Sequence, residues 1–114
     1  MILVVNKYLV PKGFTGLTAY PFVFIKNQRD KTNTFFLNHE RIHLRQQLEL
    51  LILPFFIWYT LEYLIRLMQY RKKKQAYRNI SFEREAYINE TDLDYLENRK
   101  TFSFFKYLFL NSSS

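Results

Sequence analysis

A chain of 114 residues with 17 Lys+Arg against 10 Asp+Glu carries a formal net charge of +7, and its length suits one domain. Hydrophobic residues make up 48% and aromatics 19%, enough apolar surface to offset chain entropy, so disorder is excluded as the main state. The absence of cysteine and the presence of only 2 Gly exclude a disulfide scaffold, a thiolate metal site, a Cys nucleophile and the glycine-rich phosphate loops.

The run Met1 to Val5 is apolar but stops at Asn6-Lys7, too short for a signal peptide. Residues 2–10 and 17–26 are rich in Val, Ile, Phe and Tyr, with Pro11, Gly13 and Gly16 between them. They predict two strands in a hairpin or a small antiparallel sheet. Pro21 inside the second run lacks a ladder donor and predicts an edge strand there. A helical pattern runs from about Thr34 to Leu53, Pro54 interrupts it, and a second helical stretch covers about 55–76. Ser81 reads as an N-cap, followed by Phe82, Ala86, Leu93 and Leu96 on a single helical stripe. The apolar segment 102–110 fits helix or strand. The expected fold is α+β and mostly helical. It is a single domain over 1–110 with a frayed polar tail at 111–114.

Residues 39–43 read His39-Glu40-Arg41-Ile42-His43, the H-E-x-x-H pattern. Side chains four apart on a helix lie on one face, one turn from each other. Two imidazoles so placed can hold one Zn²⁺. The glutamate beside the first can take a proton from a water on the metal and pass it to a leaving amine. With two His and seven Glu in the chain, shuffling would produce the pattern about once in a thousand trials, so its signal is strong for five residues.

A catalytic zinc needs a third protein ligand and keeps one position for water. With no third His and no Cys, that ligand must be acidic, and Glu49, Glu62, Glu83 and Glu85 lie in helical contexts. Glu49 is six residues past His43 on the same helix and faces away from the pair. Glu62 lies beyond the Pro54 break. The segment Phe82-Glu83-Arg84-Glu85-Ala86-Tyr87 opens a separate helix able to pack back on the first. Acidic residues in a first helical turn are also favoured by the macrodipole without any metal.

Together, H-E-x-x-H and this Glu-x-x-Ala segment resemble the gluzincin zinc metallopeptidases, whose second motif is a helical Glu-x-x-(small)-Asp. Phe-Glu-x-Glu-Ala is similar to the version in membrane-embedded prenyl-protein peptidases. The resemblance implies a small zincin-like domain and Zn²⁺ as cofactor. It implies His39, His43 and Glu83 as metal ligands, with Glu85 as the alternative to Glu83, and Glu40 as general base. Tyr87 stands where the family has Asp, which normally buttresses a ligand His. Its hydroxyl is expected either to accept from an imidazole or to polarise a substrate carbonyl. Tyr77, Arg78, Arg84 and Tyr87 are the candidate oxyanion donors. In this family an edge strand pairs with extended substrate, a role open to Ala19–Lys26.

Residues 50–61 form an uncharged apolar run, shorter than the roughly 20 residues a spanning helix needs. A buried helix is one reading. Membrane association is the other, because Trp58, Tyr59, Tyr63 and Tyr70 are interface-type aromatics and Arg71-Lys72-Lys73-Lys74 follows with no acid between Glu62 and Glu83. Such a cluster attracts anionic lipid on the cytoplasmic side of a membrane. Localisation is therefore expected in the cytoplasm or on that membrane face. Nucleic acid is not an expected partner, since the positive charge is one run rather than a surface interleaved with stacking aromatics. The expected activity is hydrolysis of peptide bonds in a peptide or protein substrate. The alternative is a non-catalytic zinc-binding or membrane-surface adaptor module.

Overall fold

The computed structural model describes residues 1–109; the polar tail expected at 111–114 lies outside them. The chain is α+β and mostly helical, as its sequence predicts. Strands β1 (Ile2–Val5), β2 (Gly16–Ala19) and β3 (Phe22–Ile25) form one sheet in the order β1-β3-β2. It is not a purely antiparallel hairpin: β3 runs antiparallel to β2 but parallel to β1. The single strand expected over 17–26 is folded back on itself at Tyr20-Pro21. Pro21 there needs no donor, and its carbonyl accepts from Ile2 N–H at 2.9 Å. The segment expected at an edge therefore supplies the central strand. Val23 and Ile25 of that strand are fully buried against Leu44.

Helix α1 (Thr34–Glu49) carries the H-E-x-x-H motif. Asn33 caps it, its side chain accepting from Phe36 N–H at 3.1 Å, which satisfies one of the orphan amides of the first turn. The helix ends before the expected Leu53. Leu51 and Ile52 adopt left-handed φ values of 59° and 60°, unfavourable for non-glycine residues and most of all for β-branched Ile. This elbow turns the chain by 113° into α2 (Leu53–Tyr70). Pro54 lies in the first turn of α2, where its missing N–H costs nothing.

Arg71, with φ 61°, ends α2 six residues short of the expected limit near 76. A short α3 (Lys73–Arg78) follows, then α4 (Ser81–Asn89). Ser81 is the first helical residue rather than the cap, and the capping comes from far away. Glu62 on α2 accepts from Ser81 N–H at 2.5 Å and from Ser81 Oγ at 2.6 Å, placing a carboxylate at the positive end of α4. The stripe expected to run from Phe82 to Leu96 breaks, because α4 stops at Asn89 and a separate turn, α5 (Tyr95–Asn98), follows. The segment beyond 102 is a 3₁₀ helix over Ser103–Tyr107 rather than a strand.

The main core gathers Phe55, Ile80, Phe82 and Phe104. The Phe82 ring meets those of Phe55 and Phe104 at 4.5 and 4.6 Å. Burying side chains of this size contributes about 1.5–3 kcal/mol each, and it presses α4 against α2. Trp58, half-buried, packs on Phe104 and Phe105 at 5.1 and 5.2 Å. Two helices on either side of a bend, with α4 locked to both, set the frame of the site.

Candidate metal centre

His39 and His43 lie one turn apart on α1 and are both buried. Glu83, in the first turn of α4, enters from the opposite side. Its Oε1 lies 3.2 Å from His39 Nε2 and 3.0 Å from His43 Nε2, and the two Nε2 atoms are 3.1 Å apart. Three ligand-type atoms thus form a near-equilateral triangle. A tetrahedral ion with bonds of about 2.0–2.1 Å spaces its ligands roughly 3.3–3.4 Å apart, so little movement would seat one. His39, His43 and Glu83 are a group that could hold a metal ion.

The hydrogen bonds on the far sides of the rings point to the same chemistry. His39 Nδ1 lies 2.9 Å from Glu90 Oε1, and an ionised carboxylate can only accept, so Nδ1 donates. His43 Nδ1 lies 2.9 Å from Gln46 Oε1. The Gln46 amide nitrogen is itself engaged with Glu85 Oε1 at 2.8 Å and Phe82 O at 3.2 Å, so its oxygen is the atom facing the imidazole. With the far nitrogens so engaged, both rings turn Nε2 toward the carboxylate oxygen. The three atoms are held together either by protons on the imidazoles or by a cation among them, the latter being the donor arrangement of a metal site.

Electrostatics reinforce this. Burial works against a charged His39, yet Glu83 and Glu90 outweigh it and raise the imidazole pKa to about 10. Burial likewise opposes charge on His43, and Glu83 again reverses the outcome upward. Burial would raise the Glu83 pKa, but His43 and His39 hold it well below the usual carboxylate range. The cluster favours positive charge, carried by protons or by an ion that displaces them. The second oxygen of Glu83 accepts from Tyr59 Oη at 2.7 Å, which aims the other at the histidines.

Glu40 lines a cavity of about 290 Å³ together with His43 and Glu83. The Thr18 hydroxyl on β2 donates to its Oε2, so the sheet orients the carboxylate. The remaining walls are mostly apolar, with Phe14, Leu17, Phe55, Phe56 and Tyr77 among them. This volume is near the lower end of about 300–1,000 Å³ typical of small-ligand sites.

The other acidic candidates have structural partners. Glu49 accepts from Arg99 at 2.6 Å, and Glu62 caps α4. Glu85, the alternative ligand, is fully buried away from the histidines, bonded to Arg99, to Tyr95 Oη at 2.5 Å and to Gln46. It touches the site through Gln46, which it anchors beneath His43.

Tyr87 does not take the place of the family's buttressing Asp. Its ring lies edge-on to His39 at a centroid distance of 4.5 Å, and its hydroxyl faces that of Tyr77 at 3.5 Å. The carboxylate bonded to His39 Nδ1 is that of Glu90. Among the oxyanion candidates, Arg84 points away, its guanidinium donating to Tyr107 O at 2.8 Å, and Arg78 stacks over the Tyr87 ring at 4.1 Å. Tyr77 is the candidate that lines the cavity. Burial and then the Glu83 charge push its pKa up, so the phenol keeps its proton for donation.

Substrate pairing along Ala19–Lys26 is likewise overturned, because β3 is flanked on both sides. On the outer edge of β2, Gln47 already occupies Thr18 O at 2.8 Å and Tyr20 N at 2.7 Å.

Sequence reasoning missed Glu90, Gln46, Thr18 and Tyr59. Glu90 stands seven residues after Glu83 and Gln46 three after His43, both same-face helical spacings, so a local signal existed for these two. Thr18 and Tyr59 reach the site only through tertiary packing. Removing the buttress as Glu90→Ala is expected to weaken metal binding about 10–100-fold, read by competition against a chelating fluorophore. Unchanged affinity would separate Glu90 from the metal site.

Comparison with protein families, with curated proteins and with solved structures gave no match.

Proposed function

We propose that this chain is a zinc-dependent metallopeptidase of gluzincin type, with His39, His43 and Glu83 as ligands and Glu40 as general base. The observation that carries this reading is the convergence of His39 Nε2, His43 Nε2 and Glu83 Oε1 within 3.2 Å of one another beside a cavity that Glu40 also lines. A zinc ion bound there would polarise a substrate carbonyl and lower the pKa of a water in its open position toward about 7.

The chain's own residues supply the rest. Glu40, oriented by Thr18, accepts the proton of the attacking water and returns it to the departing amine. Tyr77 donates to the developing oxyanion from the cavity wall. Tyr59 fixes Glu83, while Glu90 and Gln46 hold the two imidazoles in the tautomer that leaves Nε2 free. Phe14, Leu17, Phe55 and Phe56 suit a bulky apolar side chain in the substrate.

The test is metal-dependent turnover. The purified chain should cleave internally quenched peptides carrying large apolar residues, lose that activity to a zinc chelator and regain it when zinc is restored. One zinc per chain with no cleavage of such peptides would assign the non-catalytic zinc-binding module instead.

A further inference from the structure

Helix α2 turns a continuous apolar ridge outward. Leu53, Ile57, Leu61, Leu64 and Met68 follow the spacing i, i+4, i+8, i+11, i+15, so they share one helical face. They are 67, 54, 57, 49 and 79% exposed, with Ile65 beside them at 55%. Large contiguous exposed apolar patches mark interaction sites on soluble chains, and this ridge runs along an 18-residue helix.

Charge selects the partner. Among residues 50–82 the one acid is Glu62, and it is turned inward to Ser81, with Arg66 3.5 Å away. The outer face of α2 and α3 therefore presents no carboxylate. Directly after the ridge come Arg71, Lys72, Lys73 and Lys74, all exposed. Among the described residues no single helix is long and apolar enough to cross a membrane. An apolar face flanked by an uncompensated basic cluster is the arrangement of a helix lying in the plane of an anionic bilayer surface.

We infer that the Leu53–Met68 face of α2, with Arg71 to Lys74, docks the protein onto an anionic membrane surface. The apolar side chains enter the headgroup boundary and the cations meet lipid phosphates and carboxylates. Phe56 lines both the cavity beside Glu40 and the surface hollow formed with Ile57, Thr60 and Leu61. The docked face and the site thus share one wall, and substrate would be met close to the lipid.

The experiment is flotation of the full chain with phosphatidylcholine vesicles, with and without phosphatidylserine, alongside its mass in solution. The wild type should float with the phosphatidylserine vesicles and less at high salt. Each cation near such a surface is worth about fivefold in binding, so K72Q/K73Q/K74Q should bind roughly 100-fold more weakly. L61D/M68D changes two exposed positions, should keep its fold and zinc content, and should fail to float. Recovery of the wild type in the soluble fraction with both vesicle types would overturn the inference, as would undiminished flotation of L61D/M68D. A dimer dissolved by L61D/M68D, with no flotation, would assign the ridge to a second copy. Zinc content of the same samples tells failure of docking apart from failure of the metal site.

Discussion

Replacing Glu40 by Gln should leave zinc bound at one per chain and lower peptide turnover by about 10²–10⁴-fold, the range a positioned general base contributes. The geometry makes this a clean substitution. Glu40 is not among the three converging donors. Its Oε2 takes a hydrogen bond from Thr18, which a glutamine carbonyl oxygen can also accept. Shape and packing at this buried position are nearly conserved, while the ability to receive a proton is removed. Metal analysis and steady-state kinetics on the same preparation decide it. Full turnover by Glu40→Gln would refute the mechanism, and loss of zinc would show that the carboxylate belongs to the metal rather than to the water.

The second prediction concerns the donors themselves. In His43→Ala the triangle loses one corner, and in Glu83→Gln it loses the negative charge that draws a cation to two buried imidazoles. Both variants should emerge from purification and dialysis with little zinc, and both should be inactive. Thermal unfolding gives an independent reading. A ligand that binds only the folded state stabilises it by about 2.7 kcal/mol at 100 times its dissociation constant, which for a domain of this size raises Tm by about 10 °C. The wild type should show that rise on adding zinc, and the two variants should show almost none. An equal rise in the variants would place the ion elsewhere in the molecule.

Much of the site was readable before any coordinates. His39, Glu40 and His43 depend on helical periodicity alone, which puts i and i+4 on one face whatever the tertiary context. Glu83 could be reached by elimination and resemblance, since without a third His or a Cys the missing donor had to be acidic. Glu85 is a different case. It sits two residues away in the same helix and is equally acidic, yet points to the opposite side, where Arg99 and Tyr95 consume its oxygens. Local spacing states that the two carboxylates diverge; it does not state which one meets the histidines.

The fold shows the same division. Its class follows from the composition of the segments and from apolar spacing, both local properties of the chain. The boundaries that moved did so for nonlocal reasons. Ser81 lost the expected capping role because Glu62, nineteen residues earlier, reaches the start of α4. Pro21 marks a turn rather than an edge because β1 supplies a second neighbour for β3. Trp58 rests on Phe104 and Phe105, over forty residues later, a contact no local spacing announces.

By itself the sequence determined that two imidazoles and a carboxylate share one turn of helix, that any third donor to a metal there would be acidic, and that a basic run follows an apolar helix. Only the tertiary structure decided that Glu83 completes the triangle, that Glu90 and Gln46 orient the rings, that Thr18 holds Glu40, and which face of α2 is left uncovered. The physical reason is range. Helical periodicity places side chains within a turn or two of each other, but contacts across dozens of residues are settled by how the elements bury their apolar faces together.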